Sequence, residues 1–162
     1  MAKAKETEKN VEEQVPQMNE KAEKFGKFLE ENKINVFSKE VLTDDFKTVV
    51  FRSRIETKGQ ILPMAVIIDE SVFTIIRTQI IAGVNIKKQE KLVYFLNMLN
   101  EKFKIFKYYL RPDGIVFLDI CLPFVNETFD SKMIQLMLNV LVQHLDETYA
   151  DIMDQVWGKE EK

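Results

Sequence analysis

One acidic residue interrupts an otherwise apolar run of the sequence, and it is the strongest candidate for acid–base chemistry. Asp119 lies within residues 115–122, whose other members are all apolar. A carboxyl group buried in such a strand has a raised pKa and can serve as a general acid or base. The alternative, which we favour, is a structural carboxylate that either faces solvent or pairs with an arginine of the sheet. The candidates for that pairing are Arg52, Arg54 and Arg77.

The single histidine and the single cysteine do not form a recognisable site. His144 has no serine or cysteine nucleophile at a recognisable spacing, so we interpret it as a half-exposed residue of a helix. A metal ion held by Cys121 and His144 needs two further ligands, and the sequence identifies none. Because Cys121 lies in an apolar run, we expect a buried and reduced thiol.

Sequence motifs that bind phosphates or carry hydrolytic nucleophiles are absent. The chain contains no G-x-G-x-x-G, no G-x-x-x-x-G-K-[ST], no G-x-S-x-G and no H-E-x-x-H. With five glycines in 162 residues, loops whose backbone cradles a phosphate are not expected. We therefore predict a protein that is not an enzyme and that has no catalytic residue, no metal and no cofactor.

Aromatic and basic side chains alternate around one predicted strand, which raises the possibility of a stacking platform for single-stranded nucleic acid. Strand spacing sends Tyr108 to one face and both Lys107 and Tyr109 to the other, as in any two-faced strand. The formal charge of −3 is spread along the chain and leaves no basic footprint for a phosphate backbone. We predict no binding to nucleic acid.

Two asparagines lie near the end of the second predicted helix, although asparagine is a poor helix former. Asn97 and Asn100 are three residues apart and lie on neighbouring parts of the helix surface. We interpret both as structural. Asn100 can adopt the left-handed conformation that ends a helix, and Asn97 can satisfy backbone groups of an adjoining strand or loop. Ligand binding is the alternative.

The termini differ in composition from the rest of the chain. Residues 1–17 are mostly Lys, Glu, Gln and Asn, which predicts a disordered charged tail that serves solvation or docks to a partner. Residues 18–157 are predicted to form a single α+β domain, and residues 158–162 a flexible C-terminal tail. There is no signal-peptide core and no apolar stretch long enough to span a bilayer. We therefore predict a cytoplasmic protein with no membrane contact.

Hydrophobic spacing predicts three helices and five strands. The helices are expected at residues 18–31, after an N-cap at Asn85, and from about residue 126 to Trp157. The strands are expected at residues 46–57, 61–68, 72–81, 103–110 and 115–122, with Pro112-Asp113-Gly114 as the last turn. Short connections indicate the order α-β-β-β-α-β-β-α, with one antiparallel five-stranded sheet packed by helices. Pro63 predicts a bulge in the middle strand, or pairing that starts after it.

The last predicted helix carries two apolar stripes and so needs two partners. The longer stripe runs through Ile134, Leu138, Leu141, Leu145, Tyr149, Ile152, Met153 and Val156. The second is confined to the first half of the helix and consists of Phe129, Met133, Leu136, Met137 and Val140. The sheet covers one stripe, and either the first helix or a second copy of the chain covers the other. This pattern favours a homodimer.

The step Leu96-Asn97-Met98-Leu99-Asn100, followed by a hairpin around Pro112-Asp113-Gly114, resembles the YbjN-like bacterial family. The resemblance covers roughly residues 18–157 and implies the fold of class I type III secretion chaperones. Those chaperones are small acidic cytoplasmic dimers that hold extended effector segments on apolar grooves, whereas YbjN-like proteins are labelled putative sensory-transduction regulators. The resemblance implies no catalytic residue.

Two functions are consistent with these patterns. The first is a non-enzymatic protein-binding or chaperone-like adaptor or regulatory module, which is a homodimer with a protein or peptide partner. The second is a small-molecule-sensing regulatory domain whose pocket lies between the second helix and the sheet, near Asn97.

Overall fold

The computed structural model describes residues 17–158. The predictions for the first 16 residues and for residues 159–162 lie outside this range. Helices are α1 (Glu20–Glu31), α2 (Ile86–Lys102) and α3 (Ser131–Trp157), with a short 3₁₀ helix at Asn126–Thr128. Strands are β1 (Ser38–Val41), β2 (Val49–Thr57), β3 (Gln60–Ile68), β4 (Phe73–Ile81), β5 (Lys107–Leu110) and β6 (Val116–Pro123). The α+β class and the three predicted helices are confirmed.

The sheet has six strands in the order β1-β2-β3-β4-β6-β5, and every neighbouring pair is antiparallel. The prediction of five strands is wrong because β1 was missed. This strand reads Ser-Lys-Glu-Val, and its first three residues are exposed. It therefore shows no alternation of apolar residues. Its edge position is fixed by pairing with β2 and by the Glu40 carboxylate, which accepts from the Arg52 guanidinium at 2.7 Å.

Pro63 limits one of the two ladders of β3. Pairing with β2 runs along the whole strand and places Pro63 opposite Arg54. Pairing with β4 begins only at Met64, opposite Thr78. The prediction that pairing starts after the proline is therefore confirmed for the β4 side, where a missing N–H would leave a gap in the ladder.

The helices cover one face of the sheet. The Phe51 ring of β2 meets the Phe25 ring of α1 edge to face at 4.9 Å, and the Tyr108 hydroxyl of β5 lies against His144 of α3. The register links these contacts on a single face, because Tyr108 aligns in turn with Leu118, Thr78, Met64 and Ser53. Apolar side chains of this face and of the helices form the core.

The last helix begins later than predicted. The 3₁₀ turn precedes it, and the Asp130 carboxylate caps α3 by accepting from the amides of Lys132 and Met133. The predicted end at Trp157 is confirmed. Its second apolar stripe is only partly covered, since Leu136 is 50% exposed and Met133 is 38% exposed. α3 packs against α2 as well as α1, and the apolar pattern of the sequence does not indicate this second neighbour.

Candidate functional site

Asp119 is a salt-bridged residue at the centre of a polar cluster. Its two carboxylate oxygens accept from the Arg77 guanidinium at 2.9 and 2.8 Å, and Oδ2 also accepts from the Tyr109 hydroxyl at 3.2 Å. The side chain of Asp119 is 2% exposed. Hydrogen bonding to this carboxylate is the main reason why the pKa of Arg77 is raised. The predicted pairing with a sheet arginine is confirmed, and three donors occupy the oxygens that acid–base chemistry would use.

Aromatic rings and cations extend this cluster along β5 and β6. The Tyr109 and Phe117 rings stack with centroids 5.7 Å apart, and the guanidinium groups of Arg77 and Arg111 lie 5.7 and 5.8 Å from the Phe117 centroid. Both arginines also pair with carboxylates, Arg77 with Asp119 and Arg111 with Asp113. The cations are therefore largely neutralised, and the cluster has little charge to offer a phosphate backbone.

His144 is buried rather than half-exposed. It is 4% exposed, and its ring stacks on Phe106 at 3.9 Å and meets Phe103 edge-on at 4.4 Å. The Nε2 atom lies 2.7 Å from the Tyr108 hydroxyl. Loss of hydration, with a smaller contribution from the charge of Lys102, lowers the pKa of His144 to about 4. The prediction failed because the α2–β5 connection folds back over this face of α3.

Asn100 has the role that we assigned to Asn97. Its side chain accepts from the Tyr108 amide at 2.7 Å and donates to the Tyr108 carbonyl at 3.0 Å, so it joins α2 to the edge strand β5. It does not end the helix, which continues to Lys102. Asn97 is exposed and lines none of the three cavities described below. The interpretation of Asn100 as structural is supported by these bonds.

Cys121 is exposed, so the prediction of a buried thiol is wrong. It aligns with Ile75 of β4 on the sheet face opposite the helices. An apolar run is buried on both faces only when both faces are covered, and here α1 and α3 lie on the other face. Among residues 17–158, no three His, Cys, Asp or Glu side chains form a group that could hold a metal ion.

A buried lysine was missed entirely. Lys21 is 1% exposed, and its ammonium donates to the carbonyls of Ser71 and Phe124. Burial lowers the pKa of Lys21. A cavity of about 210 Å³ adjoins it, between the β3–β4 turn and the segment after β6. Its position on the apolar stripe of α1, four residues before Phe25, was a signal in the sequence that could have revealed it.

An apolar groove lies between α1 and the first half of α3, and its volume is about 310 Å³. Its floor is formed by Ile55 and Met64, and the segment that joins α1 to β1 forms one wall. Its apolar lining residues are Phe25, Phe28, Leu29, Ile34, Val36, Phe37, Ile55, Met64, Leu138 and Val142. Polar groups are present only at Ser53, Arg54, Glu56, Gln135 and Asn139.

A larger cleft of about 610 Å³ lies at the opposite end of α3, between the last turns of this helix and the ends of β3 and β4. Its lining mixes polar and apolar side chains. Trp157 and Ile61 stand at its exposed parts, whereas Tyr149 is 7% exposed.

Comparison with known proteins does not assign the chain to a family. No protein-family model matches the chain, and no curated protein matches it either. In the part of the chain that the structure describes, no helix has the length and apolar character needed to cross a membrane.

Proposed function

We propose that the protein is a non-enzymatic binding module that holds an extended segment of a polypeptide partner. The observation that carries this proposal is the apolar groove between α1 and α3, which lies directly beside an unpaired strand edge. Such an edge can form hydrogen bonds with the backbone of a peptide whatever the peptide's sequence, and the adjoining apolar surface determines which peptide side chains bind.

The strand edge belongs to β2. β1 pairs with Val49–Arg52 only, so no described strand pairs with residues 53–57 on that side. Four of these residues, Ser53, Arg54, Ile55 and Glu56, line the groove. We propose that an extended peptide pairs with this part of β2, beside the segment of residues 34–37, which leads into β1 and contributes to the lining of the same groove.

The groove lining explains which peptides should bind. Successive side chains of a strand point to opposite faces, so every second residue of the peptide would enter the groove between Phe28, Leu138 and Val142. The intervening residues would lie on the side of the exposed Arg54 and Glu56. We expect a partner segment that alternates apolar and polar residues.

The resemblance to the YbjN-like family and to the fold of type III secretion chaperones is consistent with this proposal. Chaperones of that fold hold extended polypeptide segments along apolar grooves. We extend the proposal to a cytoplasmic, chaperone-like adaptor or regulatory role on the strength of this resemblance alone.

Selection from a library of short random peptides tests the proposal. We expect the selected peptides to show the alternating pattern, and we expect their binding to slow hydrogen exchange of the amides in residues 53–57. Val142→Arg places a charge in the groove at a residue that is already 37% exposed, so the fold should tolerate it while peptide affinity falls at least tenfold.

Val93→Arg is the matched control. Val93 lies on α2 and is 49% exposed, but it does not line the groove, so this variant should bind the selected peptides with unchanged affinity. Equal binding by wild type and Val142→Arg, or protection of amides elsewhere in the sheet, would contradict the proposal.

We also propose that the protein is a homodimer in which a second copy covers the exposed part of the second stripe of α3. Support comes from the exposure of Met133 and Leu136 on one side of this helix. Size-exclusion chromatography with light scattering tests it. The wild type should elute as a dimer and Leu136→Arg as a monomer, and a wild-type monomer would contradict the proposal.

A further inference from the structure

The cleft at the end of α3 results from the parting of two strands. The ladder between β3 and β4 stops at Met64 and Thr78, and beyond it residues 60–63 of β3 have no partner on β4. On its other side, β4 pairs with β6, and the register of this pair is irregular between Gln79 and Ile81. The sheet therefore opens between these two strand ends, and the last turns of α3 lie over the opening.

The lining of this cleft has the composition of a small-molecule site. Its volume of about 610 Å³ lies within the range of roughly 300–1,000 Å³ that is usual for ligand pockets. Most of the lining is apolar: Ile61, Leu62, Pro63, Ile80, Ile81, Ala82, Ala150, Met153 and Trp157. The polar side chains are those of Lys58, Gln60, Gln79 and Tyr149.

A buried phenol in this lining lacks a partner. Tyr149 is 7% exposed, and its hydroxyl makes no hydrogen bond within residues 17–158, but this oxygen is not among the fully buried polar atoms and so is open to the cleft. Burial raises the pKa of Tyr149, so the group stays protonated and can donate. The hydroxyl is therefore a donor without a protein partner at the cleft, and an acceptor atom of a ligand would supply one.

The charge of the lining residues indicates that the cleft binds an anionic ligand. Lys58 carries the one charge among the lining residues, and no lining residue is acidic. Its ammonium forms no ion pair within residues 17–158. Lys58 lies in the β2–β3 turn with φ +48°, next to Gly59, so its backbone is held by the turn while its side chain adjoins the cleft.

From these observations we propose that the cleft binds a small organic acid with an apolar body. The body lies against Pro63, Met153 and Trp157, and the carboxylate accepts from the Lys58 ammonium. The hydroxyl of Tyr149 donates to a second acceptor atom of the ligand. This site is separate from the peptide groove, which uses the first half of α3, and neither proposal depends on the other.

The chain provides its own reporter for this site. Trp157 is the only tryptophan, it lines the cleft, and it is 66% exposed. Binding of a non-absorbing acid should therefore shift tryptophan emission to shorter wavelength. The probes are octanoate and cyclohexanecarboxylate, and the corresponding uncharged amides are their controls. We expect at least one acid to bind about tenfold more tightly than its amide, because the charge-assisted bond is lost.

Substitutions separate this site from non-specific binding. Lys58→Gln should lower the affinity for the acid about tenfold, because the charge is lost. Tyr149→Phe should lower it several-fold, because the hydroxyl is lost. Lys104→Gln and Tyr94→Phe remove the same groups from exposed positions outside the cleft and should change nothing. Melting temperatures with and without acid provide a second measure of binding that does not use Trp157.

Two results would overturn the inference. One is the absence of any emission shift and of any thermal stabilisation with both acids at millimolar concentration. The other is equal affinity for acid and amide that Lys58→Gln does not change. The cleft would then bind apolar molecules whatever their charge. Lys58→Gln is at an exposed turn position, so the test does not depend on how well Tyr149→Phe folds.

Discussion

The Nε2 atom of His144 lies 2.7 Å from the hydroxyl oxygen of Tyr108, and this contact joins the longest helix to the edge strand β5 inside an aromatic enclosure. Both side chains are almost fully buried. The contact makes His144, the only histidine of the chain, a residue whose protonation is coupled to folding.

Stability should therefore fall in mild acid. The pKa of His144 is about 4 in the folded chain and 6.5 ordinarily, so between these values the unfolded chain binds a proton that the folded chain does not. Each pKa unit is worth about 1.4 kcal/mol, so unfolding should become easier by roughly 2–3 kcal/mol from pH 7 to pH 4. Urea titrations across this range measure the effect.

His144→Gln provides the comparison, because carboxylates also titrate in this range. The difference in unfolding free energy between wild type and His144→Gln should decrease as the pH falls from 6.5 to 4. A difference that stays constant with pH would contradict the burial of His144.

Two buried threonine hydroxyls make Thr→Val substitutions favourable. Thr74 and Thr78 are fully buried, and their Oγ1 atoms have no hydrogen-bond partner in the described chain. Valine has nearly the same shape and removes an unpaired polar atom, so Thr78→Val should stabilise the protein by about 1 kcal/mol. Thermal denaturation measures the change.

Thr57→Val is the matched control, because its hydroxyl donates to the Asp146 carboxylate at 2.8 Å. This variant should be destabilised by about 1–2 kcal/mol. A loss of stability in Thr78→Val as large as that in Thr57→Val would show that the Thr78 hydroxyl does have a partner.

Asp119 should be important for stability. Asp119→Asn removes one partner of a largely buried ion pair, and because Arg77 is partly open to water we expect a loss of about 2–3 kcal/mol. A double-mutant cycle with Arg77→Met isolates the pairwise energy. Asp113→Asn, at the exposed pair with Arg111, should cost less than about 0.5 kcal/mol. Full stability of Asp119→Asn would reopen a chemical role for this carboxylate.

The two asparagines of α2 should respond differently to alanine. Asn100→Ala removes both hydrogen bonds to the backbone of Tyr108 and should destabilise the protein by about 1–2 kcal/mol. Asn97→Ala, at an exposed position of the same helix, should be neutral or slightly stabilising. Urea titrations of both variants test this pair, and equal losses would contradict the assignment.

Hydrophobic periodicity was sufficient to predict the elements that have a strong local pattern. The three helices, strands β2 to β6, the N-cap at Asn85 and the pairing limit at Pro63 were expected, although β5 begins at Lys107 rather than at residue 103. Strand β1 was missed because its pairing with β2, rather than apolar alternation, makes it a strand. The position of Lys21 on the apolar stripe of α1 indicates burial, but only the tertiary structure shows that the carbonyls of Ser71 and Phe124 accept from its ammonium.

Which side chains meet was decided by tertiary structure. Sequence spacing places Asn97 and Asn100 close together, but only the path of β5 determines that Asn100 binds Tyr108. The same applies to His144, which is buried by residues about 40 positions earlier in the chain. The apolar groove and the larger cleft depend on where two ladders stop and on how α3 crosses the sheet. Local patterns determine which residues prefer water or the core, whereas pairing between distant segments determines which surfaces remain open.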